Sequence, residues 1–228
     1  MNQLDRTEMA YELPADAAPG RQFSRAADFQ AYVAPRLFAE PPLSVGEPAP
    51  FGCHTIAGLD PDPSLIARAR PAAVLLPVIE RENGLMVLLT ERSAALSTHA
   101  GQIAFPGGRV EAGESALCAA LREAKEEIGL DPELVEPLGY LQPYYSGTGF
   151  RVQPVVALVA ADASFTPDPG EVARIFEIPL ALALDRQRYS MGLITWQGRE
   201  RAFFILDYPD AYIWGVTAGI MRSMAERV

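Results

Sequence analysis

The stretch GRVEAGESALCAALREAKEEIGL, residues 108–130, decides the fold. From Ser115 to Ile128 its periodicity is helical, with Leu117, Leu121, Ala124 and Ile128 on one apolar stripe, and Gly129 stands where a helix C-terminal glycine belongs. Glu123, Glu126 and Glu127 lie three and four positions apart, so at roughly 100° per residue they share a face beside that stripe. Like charges so placed repel by roughly 0.2–0.5 kcal/mol per pair unless something positive sits between them. A hard divalent cation answers that need, since Mg²⁺ takes a few carboxylates together with phosphate oxygens and waters. Arg122 can pair with Glu126 one turn on and help aim the carboxylates.

A glutamate-rich helix face is, taken alone, more often a solvated surface. The residues in front of this one argue otherwise. Pro106-Gly107-Gly108 forces a tight turn with exposed backbone, and Gly113-Glu114 makes a second turn just before the helix. Backbone carbonyls at such a turn can complete a metal shell.

Upstream, Pro71 to Glu80 reads as a buried strand and Leu85 to Thr90 as its hairpin partner, across the turn signal Arg81-Glu82-Asn83-Gly84. A loop from Glu91 to Gly101 leads to a short apolar stretch, Gln102 to Phe105. Downstream, Leu134 to Leu141 and Val152 to Ala160 read as strands, and Glu171 to Ile178 as a short amphipathic piece. Ile194 to Trp196 and Ala202 to Leu206 form a last hairpin, and Trp214 to Arg227 a terminal helix. The irregular alternation of strands and helices predicts an α/β fold with a mixed sheet between helices. Residues 1–50 read as an N-terminal extension: a mobile tail to about residue 22, a short helix from Arg25 to Leu37 capped by Ser24, then proline-broken linker. Within that helix Phe29, Tyr32, Val33 and Leu37 fall on one face. Residues 51–228 read as the catalytic domain.

Composition narrows the function classes. The chain has 228 residues, 49% of them hydrophobic, enough for one core without staples. Its formal net charge is −10, with Lys125 the single lysine, so a nucleic-acid-tracking surface is disfavoured. Anionic small molecules stay open, because a bound cation is often the largest charge in a site. Cys53 and Cys118 form no zinc or disulfide pattern and read as buried reduced thiols. Neither a signal-type segment nor an apolar run of about 18 residues is visible, so the expectation is a cytoplasmic chain with no membrane partner.

Gly108, five residues, Glu114, seven residues, then Arg122-Glu123-Ala124-Lys125-Glu126-Glu127-Ile128-Gly129-Leu130 resembles the full Nudix box. Only Ala124 departs, standing where the family more often carries a larger aliphatic residue, and that bears on packing. The resemblance implies the Nudix α/β/α sandwich with a mixed central sheet, metal ligands at Glu123, Glu126, Glu127 and the Gly107 carbonyl, Mg²⁺ or Mn²⁺ as cofactor, and hydrolysis of a nucleoside diphosphate linked to another moiety.

The stretch LLTERSAALSTHAGQIAFPGG, residues 88–108, is similar to the signature of the coenzyme A pyrophosphatase branch. Tyr145 to Val156 and Trp214 to Ile220 also resemble that branch, so the likeness spans about residues 70 to 225. It implies cleavage of coenzyme A to 4′-phosphopantetheine and adenosine 3′,5′-bisphosphate. Arg92 is a planar fork suited to phosphate oxygens. His99 either donates to a phosphate or orders its loop. Tyr145 and Arg151, with Tyr144 and Phe150, are candidates to line the cleft, against a core role. For chemistry the candidates are Glu126, Glu127 and Arg122. The candidates for general base are a box glutamate or Glu171, whose competing reading is a charge at a helix N-terminus. The rivals are a Nudix hydrolase of ADP-ribose or another nucleoside diphosphate derivative, and a non-catalytic nucleotide-sensing domain. The expected partner is a small-molecule substrate. The sequence fixes no oligomeric state, a homodimer included.

Overall fold

The computed structural model describes residues 21–42, 51–52, 66–96, 99–196 and 199–228. The tail expected up to about residue 22 lies, through residue 20, outside the described residues, as do most of the linker and Cys53. The described chain begins with helix α1 (Ala26–Val33), extended by a 3-10 turn (Ala34–Arg36). Strands β1 (Phe51–Gly52), β2 (Arg70–Arg81), β3 (Gly84–Arg92), β4 (Ile103–Ala104) and β5 (Gly107–Arg109) lead to helix α2 (Ala116–Ile128). After it come β6 (Val135–Tyr140), β7 (Tyr144–Tyr145), β8 (Phe150–Val159), β9 (Val172–Pro179), α3 (Leu180–Leu184), β10 (Tyr189–Trp196), β11 (Arg199–Leu206), β12 (Ile213–Trp214) and α4 (Gly215–Arg227).

Strand β2 organises the larger sheet, whose path runs β1-β7-β8-β2-β3-β4. It is parallel to β8 from Arg70↔Phe150 to Ile79↔Val159, and antiparallel to both β5 and β3. Strand β6 pairs with β8 and β9 with β3, so the sheet is mixed. Because both faces of β2 are covered, its sequence is almost continuously apolar instead of alternating. Pro77 is tolerated because it falls between the stretch of β2 paired with β5 and the stretch paired with β3, where a missing N–H removes no antiparallel ladder bond.

The period of two sorts the core into two layers. Leu75, Ile79, Val155 and Ala157 meet Ala119, Ala120, Ala124 and Ile128 of α2 on one face. On the other, Leu76, Val78, Val156 and Leu158 share a cluster with Phe29 and Val33 of α1 and Ile220, Met221 and Met224 of α4. This is the α/β/α sandwich anticipated.

Several local expectations need correction. Ser24 does not cap α1: Arg25 occupies the cap without a side-chain bond, and the Ala26 N–H donates to Glu80 Oε2 at 2.7 Å. The deepest positions of α2 are Ala119, Ala120, Ala124, Glu127 and Ile128, while Leu117 and Leu121 are only partly buried. Small side chains there let the helix lie close to the sheet. Glu171 to Ile178 does not form a helical piece, because residues from Val172 pair with β3 as β9. Cys118 is exposed, not buried.

Candidate active site

Two turns and a helix assemble the acidic cluster. Ser115 caps α2 by accepting from the Cys118 N–H at 3.1 Å, and Gly129 ends it in the left-handed conformation at φ 66°. Gly113, at φ 82°, turns the chain into the helix. Gly108 is required for space: a Cβ there would strike the Glu123 carboxylate, and one on Gly107 would meet the β2 backbone. The tight turn read from Pro106-Gly107-Gly108 is therefore a close approach of backbone to carboxylate.

Glu127 points inward and is 3% exposed. Its Oε2 accepts from the Gly107 N–H at 3.1 Å, and its Oε1 lies 3.5 Å from Arg92 Nη1. Burial pushes its carboxyl up to about 7, against the pull of the Gly107 donor and the Arg92 charge. Glu123, half buried, is also held above the ordinary carboxylate range by burial, which outweighs Arg122 beside it. Glu126 is the open member, its side chain 59% exposed.

Arg122 does more than pair with Glu126. Its Nε and Nη2 grip both oxygens of Glu114 at 3.0 and 3.1 Å, and its Nη1 reaches Glu123 at 3.0 Å and Glu126 at 3.1 Å. Nη2 also donates to the Arg109 carbonyl at 3.0 Å, so one guanidinium ties the turn to the helix. The Glu114 partnership lowers that carboxyl and raises Arg122. Glu114 is the residue the sequence reading left without a role, although its place after Gly113 marked it.

Arg92, expected as a phosphate fork, faces Glu127 with 26% of its side chain exposed, and its buried Nε has no hydrogen-bond partner among the described residues. Glu171 stands in a loop strapped over the end of α2: the Thr166 and Asp168 N–H groups donate to the Ile128 and Glu127 carbonyls at 2.8 and 2.9 Å. The loop thereby brings Glu171 close enough for its charge to push both Glu123 and Glu127 upward. Since a strand follows, the helix-terminus reading of Glu171 fails.

The remaining candidates do not join the cluster. His99, at φ 59°, holds Gln102 Oε1 through Nδ1 at 2.9 Å within its own exposed loop. Tyr145 is buried in a small cluster with Ile66 and Ala69, Tyr144 in the main core, and Arg151 is buried opposite Tyr145. One tie had no legible signal: the Thr217 hydroxyl of α4 donates to the Ile103 carbonyl at 2.8 Å, fastening β4 ahead of the glycine turn.

The donor set is entirely hard oxygen, and Glu127 is a buried carboxyl with a single guanidinium, Arg92, at 3.5 Å, so the residues fit a divalent metal. Among the described residues no three such side chains already converge on one point, because Arg122 draws Glu126 and Glu123 to itself.

A family profile described as "NUDIX domain" matches residues 69–192. The chain belongs to the Nudix family. It is 46% identical over 161 residues to "Uncharacterized Nudix hydrolase NudL" of Cronobacter sakazakii, covering 70% of this chain and 83% of that protein. Against the protein of the same name from Klebsiella pneumoniae (strain ATCC 700721 / MGH 78578) the identity is 44% over 173 residues, 75% and 89% of the two chains. Among solved structures, a Nudix hydrolase from M. smegmatis, RenU, is similar at TM-score 0.43 and 26% identity, over 49% of this chain and 71% of that one. This Nudix chain is accordingly a hydrolase, in a family that works with divalent cations. No helix among its described residues is long and apolar enough to cross a membrane.

Proposed function

We propose that this Nudix hydrolase cleaves the diphosphate bond of coenzyme A or a derivative, with Mg²⁺ or Mn²⁺, giving 4′-phosphopantetheine and adenosine 3′,5′-bisphosphate. One observation carries the reading. The stretch that resembles the coenzyme A branch, Leu88 to Gly108, runs as β3, β4 and β5 directly onto the box, ending in the Arg92 and Gly107 contacts to Glu127. That the branch-like stretch and the acidic helix meet at Glu127 supports this reading.

Glu123, Glu126, Glu127 and the Gly107 carbonyl would hold the metal. Bound there, a divalent cation supplies a more acidic water and charge neutralisation on the phosphate oxygens. Arg122 keeps Glu123 and Glu126 aimed, and the Gly107 N–H with Arg92 fixes Glu127. Water attacks phosphorus, the bridging P–O bond breaks with its electron pair leaving on the departing phosphate, and Glu171 at the rim takes the water's proton. The proposed partner is a small molecule, with neither nucleic acid nor membrane, in the cytoplasm; a homodimer is compatible with this reading.

With coenzyme A and Mg²⁺, the wild type is expected to yield the two phosphorylated products by chromatography, and Glu127→Gln to lose nearly all turnover. A Glu127→Gln enzyme as fast as the wild type would refute the assignment of the box as the site.

A further inference from the structure

Arg70 opens β2, Arg109 closes β5 against it, and Phe150 opens β8 opposite Arg70. The two guanidiniums converge on one ring, their Cζ atoms 4.1 and 6.0 Å from the Phe150 centroid. Both arginines are exposed. Neither has a carboxylate partner among the described residues, whereas Arg81, Arg92, Arg122 and Arg174 are each ion-paired. Arg21 and Arg36 share the Tyr32 ring in the same way, their Cζ atoms 4.0 and 3.6 Å from its centroid, so what sets the Arg70 and Arg109 pair apart is its place beside the glycine turn.

The arrangement is fixed by backbone. The Phe150 N–H donates to Ser146 Oγ at 3.0 Å, and the Arg70 N–H to the Gly149 carbonyl at 2.9 Å. On the other side, the Arg109 carbonyl accepts from Arg122, and its neighbour Gly108 abuts the Glu123 carboxylate. Arg109 thus borders the glycine turn that meets the acidic cluster, while its side chain, with Arg70 and Phe150, falls by strand alternation on the sheet face away from α2, at the edge where β2 and β5 end.

We propose that Arg70 and Arg109 form an anion subsite for a phosphate monoester that the substrate carries apart from the diphosphate being cleaved. Two guanidinium forks suit a dianionic phosphate, and anion binding relieves their mutual repulsion. The proposal rests on the coenzyme A reading, in which that group is the ribose 3′-phosphate.

The test compares coenzyme A with 3′-dephospho-coenzyme A. The wild type is expected to favour coenzyme A in kcat/KM, and Arg70→Ala and Arg109→Ala each to shrink that preference about tenfold, chiefly through KM, with Arg→Lys variants recovering part of it. An unchanged preference in both alanine variants overturns the subsite. Should the wild type cleave neither compound, the coenzyme A reading fails, and calorimetry still decides the subsite. Adenosine 3′,5′-bisphosphate must then bind the wild type more tightly than adenosine 5′-phosphate does, by a margin lost in the double alanine variant; equal margins overturn it.

Discussion

Glu127 is where burial and chemistry conflict most directly. Its carboxyl is raised from its ordinary 4.5 to about 7, chiefly by burial. Between those values the native protein binds more protons than the unfolded chain, so stability present at low pH is lost as pH rises through 7. In metal-free protein, urea unfolding should show stability falling by about 1–3 kcal/mol between pH 5 and pH 8, and Glu127→Gln should flatten that slope. Parallel profiles for the two proteins would mean that the carboxylate is not desolvated as described. The same burial explains why a divalent cation is favoured there: it lets a buried carboxylate stay ionised. From sequence, the spacing of Glu123, Glu126 and Glu127 was legible because helical geometry is periodic. Which glutamate lies inside was not, since that depends on how closely Ala119, Ala120 and Ala124 let α2 approach the sheet.

Among the elements, α2 shows how local rules and tertiary context divide the work. Its terminal glycine appears as expected, and Ser115, read from the sequence only as the start of the helical stretch, is its cap. Ser115→Ala should cost about 1 kcal/mol in urea unfolding, by leaving the Cys118 N–H without its acceptor. An unchanged midpoint would mean water satisfies the helix end equally well. Helix α1 behaves differently. Its cap comes from Glu80, 54 residues away, and no local pattern predicts such a partner. Strand β9 escaped notice for a similar reason. Its apolar spacing suits a helix as well as a strand, and only pairing with β3 from Met86↔Pro179 onward decides.

For the whole molecule, the sandwich places two differently read stretches at one end of the sheet. The box lies on α2 and the glycine turn, and the stretch that resembles the coenzyme A branch on β3 to β5. Their meeting at Gly107, Arg92 and Glu127 is a consequence of β2 pairing with both β3 and β5. The fold class and the acidic helix were legible because they rest on periodicity and turn chemistry. The contact of Arg92 with Glu127 and the convergence of Arg70 with Arg109 were not, because each depends on how distant segments pair and pack. The account's central claim is that this site acts on coenzyme A. Steady-state kinetics with Mg²⁺ on coenzyme A and ADP-ribose, using one preparation, tests it most directly. The account predicts a higher kcat/KM for coenzyme A, with 4′-phosphopantetheine and adenosine 3′,5′-bisphosphate as products; equal or faster turnover of ADP-ribose would contradict it.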